Sequence, residues 1–160
     1  MTETTGSQPA DTPTSVSIKT LFGQREFQWD KAIYMPTGLT GFENHNVFAL
    51  ANFPGDTTGC FKLLQSLTEP ELAFVVAPYN ADSGVIKESH MTQMLSSVAI
   101  APDDAAILFI VTLHKDENNG EAMRMSVNLR APIIIDTERQ VAWQRTLPYE
   151  EYPYRKMLDS

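Results

Sequence analysis

From Val16 onward the chain reads as short apolar runs separated by turn residues. The run "VSIKTLFGQREFQWD" holds two β-like stretches around Gly23, the residue best suited to a turn of positive φ, and predicts a hairpin. "AIYM" stops at Pro36, and "PTGLTGF" then predicts a structured loop that bends sharply at its glycines while burying Leu39 and Phe42. "VFALANF", "CFKLLQS" and "LAFVVA", parted by the turn-rich "PGDTTG" and "LTEPE", predict successive strands. After Tyr79 the period lengthens. Met91, Met94, Leu95 and Val98 fall at helical spacing, so "KESHMTQMLSSV" predicts one short helix with that face against the sheet. "AILFIVTL", residues 106–113, is apolar on both sides and predicts a central strand covered on both faces. Asn119-Gly120 marks a reversal into "MRMSVNL", where Met123, Met125, Val127 and Leu129 predict a core face and Arg124, Ser126 and Asn128 a wet one. "APIIID" and "VAWQRTL" flank "TERQ" as a last hairpin, with Val141, Trp143, Leu147 and Arg145 on one side.

Many short strands with one or two helices argue for a mainly β fold, a small antiparallel β-barrel-like domain or sandwich, and against alternating β-α units. The 160 residues allow one domain, expected over 16–160 behind a disordered lead over 1–15, "MTETTGSQPADTPTS", which lacks the pattern of a secretory signal. The longest apolar run is too short for a bilayer-spanning helix, so a soluble, cytoplasmic protein is expected. The formal charge of −8 disfavours nucleic-acid and anionic-membrane partners and favours basic protein surfaces. Cys60, the one cysteine, fits a reducing compartment and is expected as a small buried side chain between strands.

Candidate chemistry is sparse. His45, His90 and His114 stand far apart without a second ligand at metal spacing, and each is expected on the surface or in a loop. A Ser66, His90 and Asp104 triad has no elbow motif to support it, and the glycines form no phosphate loop. Neither a catalytic site, a metal nor a cofactor is expected. Glu69 and Glu71, Asp103 and Asp104, Asp116 and Glu117, and Glu150 and Glu151 read as solvated loop carboxylates, with an acidic docking face as the sharper alternative. Gln65, Ser66, Asn128 and Arg130 sit where strands end, placed to bond a neighbouring loop or a partner.

"YMPTGLTGFENHNVFAL", "FKLLQSLTEPELAFVVAPY" and "SVNLRAPIIIDTERQVAWQRTL" with "YPYR" resemble, in order and spacing, the flagellar assembly factor FliW family over about residues 17–158. The resemblance implies an antiparallel β-barrel-like fold and no enzymatic activity. It implies two exchanging protein partners, flagellin and CsrA, a small dimeric RNA-binding translational repressor. Free FliW would capture CsrA allosterically and relieve repression of flagellin mRNA; new flagellin would capture FliW and release CsrA. On this reading Leu39, Phe42, Gln65, Glu69 and Glu71 contact partners with Asn128 and Arg130 in support, while Gly38, Gly41, Pro70, Ala131 and Pro132 shape the loops. The protein is expected to be a monomer when free. The chain departs from the family pattern at Thr40, where the bend usually reads "GLPGF", at Ala77, where an acidic residue usually precedes the proline, and in a longer "HKDENNGEA" loop. The alternatives are a barrel holding a flavin-like ligand in its mouth and a purely structural flagellar part.

Overall fold

A computed structural model describes residues 14–21, 23–56, 58–80, 83–115 and 123–158; the lead up to residue 13 and the Asn119-Gly120 reversal lie outside the described residues. In chain order the strands are β1 (Ser15–Thr20), β2 (Gly23–Gln28), β3 (Ile33–Tyr34), β4 (Val47–Asn52), β5 (Lys62–Ser66), β6 (Ala73–Pro78), β7 (Ala105–Lys115), β8 (Met123–Val127), β9 (Ile133–Asp136), β10 (Val141–Gln144) and β11 (Lys156–Leu158). One α-helix, α1 (Glu88–Ser97), crosses between β6 and β7, and 3-10 turns cover Trp29–Lys31 and Pro102–Asp104.

Seven strands close into a barrel in the order β9, β10, β3, β4, β5, β6, β7 and back to β9, while β8 and β11 extend the sheet from β7. β7 does this by splitting one edge, pairing residues 105–108 with β9 and 111–115 with β8, while its other edge pairs with β6. Such a strand has cover on both sides. Ile107, Phe109 and Val111 pack beneath α1, and Leu108 fills the barrel.

The barrel is not wholly antiparallel as the sequence pattern suggested, because β10 meets β3 in parallel at Val141 and Tyr34. Parity requires this. Strands that alternate up and down around a closed ring must be even in number, so a seven-strand ring needs at least one parallel neighbour. The seam is well made: Tyr34 N–H donates to the Gln140 carbonyl at 2.9 Å and Gln140 Nε2 to the Ala32 carbonyl at 3.0 Å. Gln140 takes φ 58° to end the "TERQ" turn in this position.

Met35, Leu39, Phe48, Leu64, Val76, Leu108, Ile133 and Ile135 fill the barrel interior. Each buried side chain of this size contributes about 1.5–3 kcal/mol. This packing fills the interior of the described barrel. Outside, one flank lies under α1 and the C-terminal segment, and the other lies under the β1–β2 hairpin, where Ile18 and Phe27 rest on Ala49 and Leu67.

Three local expectations need correction. Cys60 is exposed, because β5 begins only at Lys62 and the loop before it turns inward first at Phe61, which is half-buried. Ser126, placed on the wet face by alternation, is buried, because His114 of the neighbouring β7 covers it and hydrogen-bonds its Oγ at 2.7 Å. His90 and His114 are partly buried on α1 and β7 rather than in loops.

Candidate protein-interaction surface

The strand order places the bend after β3, the bridge between β5 and β6, and the turn before β9 at the same end of the barrel. The bridge, residues 67–72, hangs from the end of β5. Gln65 is wholly buried, and its Nε2 donates to the carbonyls of Ser66, Pro70 and Leu72 at 3.0–3.2 Å. Ser66 Oγ accepts the amides of Thr68 and Glu69 at 3.2 and 2.9 Å. Pro70 then sits at the second position of a turn closed by Leu72 N–H on the Glu69 carbonyl at 3.0 Å, where its fixed φ is favoured. The loop thus has a single shape, with Glu71 at its surface, Glu69 half-buried, and neither carboxylate paired among the described residues.

The bend is two consecutive turns. Gly38 N–H donates to the Met35 carbonyl at 3.1 Å and Phe42 N–H to the Leu39 carbonyl at 2.7 Å. Gly41, at φ 89°, occupies the third position of the second turn, which demands positive φ. Gly38 has a different necessity: a Cβ there would lie 2.7 Å from the Glu43 Cα. Leu39 is 1% exposed and plugs the barrel, while Phe42 is 39% exposed and sets its ring edge-on to Phe74 at 5.2 Å, joining the bend to β6. Gly41 N–H donates to the Glu43 carboxylate at 2.9 Å, and this backbone hydrogen bond holds the Glu43 pKa below the usual carboxylate value.

Thr40 explains its own departure from the family pattern. Its N–H donates to Gln144 Oε1 at 2.9 Å, and Gln144 Nε2 donates to the Ala131 carbonyl at 3.2 Å. Proline has no such donor. The side chain of Gln144 therefore ties the bend to the turn at Asn128, whose Oδ1 accepts the amides of Arg130 and Ala131, both at 3.0 Å. Arg130 points the other way: its guanidinium donates to the carbonyls of Tyr152 and Glu150 and lies 4.8 Å over the Tyr154 ring. Ala131 and Pro132 are buried behind the turn.

The residues singled out in the sequence are thus joined, with unequal access. Glu71 and Phe42 are exposed and Glu69, Asn128 and Arg130 partly so, whereas Leu39, inside the barrel, and Gln65, on the flank beneath the hairpin, are buried and hold the loops. Thr40 was marked only as replacing a proline and not as a contact, and Phe74 and Gln144, which carried no signal, were not singled out.

Other chemistry does not converge. Ser66 Oγ serves the bridge, and the Asp104 carbonyl accepts from Thr137. On α1, His90 stacks on Tyr149 at 3.6 Å and bonds Tyr152 through Nδ1 at 2.7 Å. Among the described residues no group of three or more His, Cys, Asp or Glu could hold a metal ion, and no helix is long and apolar enough to cross a membrane.

The model of the FliW protein family matches residues 17–158. This chain belongs to the FliW family, the family of flagellar assembly factors. A FliW from Oceanobacillus iheyensis is 29% identical over 86% of this chain and 90% of its own length. One from Geotalea uraniireducens is 30% identical over 85% of this chain and 79% of its own. A crystal structure of the flagellar assembly factor FliW superposes with a TM-score of 0.67 at 22% identity, covering 91% of this chain and 97% of that one, and shares the fold.

Proposed function

We propose that this protein works in flagellar assembly as a cytoplasmic binding protein and not as an enzyme, taking flagellin and CsrA as exchanging partners. Bound to it, CsrA releases flagellin mRNA for translation; flagellin, by occupying the protein, returns CsrA to repression. The observation that carries the reading is FliW membership across nearly the whole folded body, in a chain whose barrel end displays an acidic bridge of fixed shape. A net charge of −8 steers the encounter with a basic RNA-binding protein and adds repulsion against incoming RNA. Acting away from the RNA surface, the capture is a coupling free energy between two sites on CsrA.

Calorimetric titration with the organism's own CsrA, repeated after saturation with flagellin, tests the reading. Tight binding that flagellin abolishes supports it. Binding to flagellin alone removes its regulatory half. Reversing both bridge charges, Glu69→Lys with Glu71→Lys, is expected to weaken CsrA capture about tenfold, with an unchanged melting curve because neither carboxylate bonds anything among the described residues. Unchanged affinity would exclude this face.

A further inference from the structure

The β1–β2 hairpin is a two-stranded sheet that joins no other described strand. In an antiparallel pair every second residue turns its N–H and C=O away from its neighbour. Trp29 N–H donates to the Thr14 carbonyl at 3.0 Å, one step beyond the Ser15 and Gln28 pair, and this sets the phase. Phe27, Arg25 and Gly23 therefore bond β1, and Gln24 and Glu26 turn their backbone groups outward, where no described backbone group meets them. An open edge of this kind is a template for another extended chain.

Along that edge runs a cleft of about 450 Å³ between β2 and β4, floored by Ala49 and Ala51 and bordered by Leu50 and Lys31. Arg25 pairs with Ile18 in register and so lies on the inner face of the hairpin, above this floor. Its Nε is sealed from solvent without a hydrogen-bond partner, and its guanidinium makes no ion pair among the described residues. Buried donors are ordinarily satisfied, and a cationic one without a partner is the costly exception. A carboxylate is the group that satisfies a guanidinium best, through two parallel hydrogen bonds.

We propose that the β2 edge and its cleft receive an extended peptide segment of a partner protein, added as a third strand, with a carboxylate side chain on Arg25. A second copy of this chain fits less well. Glu26 lies on the opposite face of the hairpin, bonded by Ser15 Oγ at 2.9 Å. In the antiparallel pairing of a closed two-fold dimer the faces of the two sheets stay aligned, so the copy's Glu26 cannot reach Arg25, and the two Arg25 side chains share one face. The site does not involve the acidic bridge, and the proposal does not depend on CsrA being a partner.

The test uses the full chain and a fluorescein-labelled peptide of about eight residues, the length of an ordinary strand, alternating Thr and Val around one central Glu. Saturable binding is expected, with slowed amide exchange at Gln24 and Glu26. Replacing the probe's Glu by Gln, or Arg25→Gln in the protein, should each weaken binding about tenfold, and the two together no further. Glu26→Pro should weaken it as well, since it removes an outward N–H while sparing the β1 ladder. Should Arg25→Gln fail to fold, the two probes on the unaltered protein still give the comparison. No saturable binding, equal affinity for both probes, protection elsewhere in the chain, or a dimer joined through β2 in its place would overturn the proposal.

Discussion

At one end of β5 the bridge hangs from Gln65 and Ser66; at the other, the loop over residues 53–61 hangs from Asp56. Asp56 Oδ1 accepts from Thr58 N–H at 3.0 Å and from the Thr58 hydroxyl, while Oδ2 accepts Phe61 N–H at 2.9 Å. Both loops use polar side chains, Gln65 and Ser66 in the bridge and Asp56 in the other loop, to gather backbone groups that no sheet can reach. The difference lies in burial and charge. The bridge is organised by buried neutral groups that donate to carbonyls as well as accept from amides, the other loop by a half-buried anion that only accepts. A loop built the first way has no titrating organiser, and a loop built the second way keeps its shape only while its carboxylate stays ionised, which its lowered pKa ensures down into the acid range.

Removing the bridge's organiser gives the largest expected effect. Gln65→Leu keeps the volume but strips a donor from the carbonyls of Ser66, Pro70 and Leu72 inside the protein. A loss of about 2–4 kcal/mol follows, seen as a melting temperature lower by roughly 5–12 °C. If stability fell by no more than for a surface substitution, the bridge would be held by its Pro70 turn instead.

The bend sharpens the comparison because its organiser is the backbone. Gly38→Ala drives a methyl group against the Glu43 backbone at positive φ and should cost about 2–3 kcal/mol. Gly41→Ala, with open space around it, should cost only the conformational penalty of about 1 kcal/mol. Equal costs in denaturant melts would mean that the close approach at Gly38 relaxes freely. Thr40→Pro comes next: it loses the bond to Gln144 but stiffens the unfolded chain, and these terms leave stability within about 1 kcal/mol of the parent. The informative readout is exchange at the Phe42 amide, which should quicken if the Gln144 tie steadies the bend.

The strands and the helix were legible because their apolar periods are local, and the bend and bridge because glycine and proline mark turns. A barrel was expected, but where its ring closes was not legible. No local pattern shows that Val141 will lie beside Tyr34, and the parallel seam follows only once the strands are counted around a ring. Ser126 was misplaced for a related reason: alternation says which face a residue takes, and only the neighbouring strand says whether His114 covers that face. Cys60 shows the reverse error, a small apolar side chain judged by type when the strand had not yet begun. At the candidate surface, sequence position could place Gln65 at a strand end but could not show that it is buried and serves carbonyls.

The smallest effect separates the two ends of β5 most cleanly. The hydroxyl and amide of Thr58, then the amide of Phe61, hold the Asp56 pKa below the usual aspartate value. A carboxylate lowered by folding stabilises the folded loop above its unfolded pKa and loses that contribution as pH falls through its lower folded value. Exchange protection of the Phe61 amide, corrected for the intrinsic pH dependence of exchange, should therefore decline on acidification below the ordinary aspartate range. Asp56→Asn, which retains one acceptor oxygen but loses the one facing Phe61, should show weak protection at every pH and no such decline. The Glu69 amide, bonded to the neutral Ser66 hydroxyl, should keep its protection through the same interval. If both amides lost protection together, the barrel would be opening as a whole, and the division between a loop set by a proton and a loop set by neutral groups would fall.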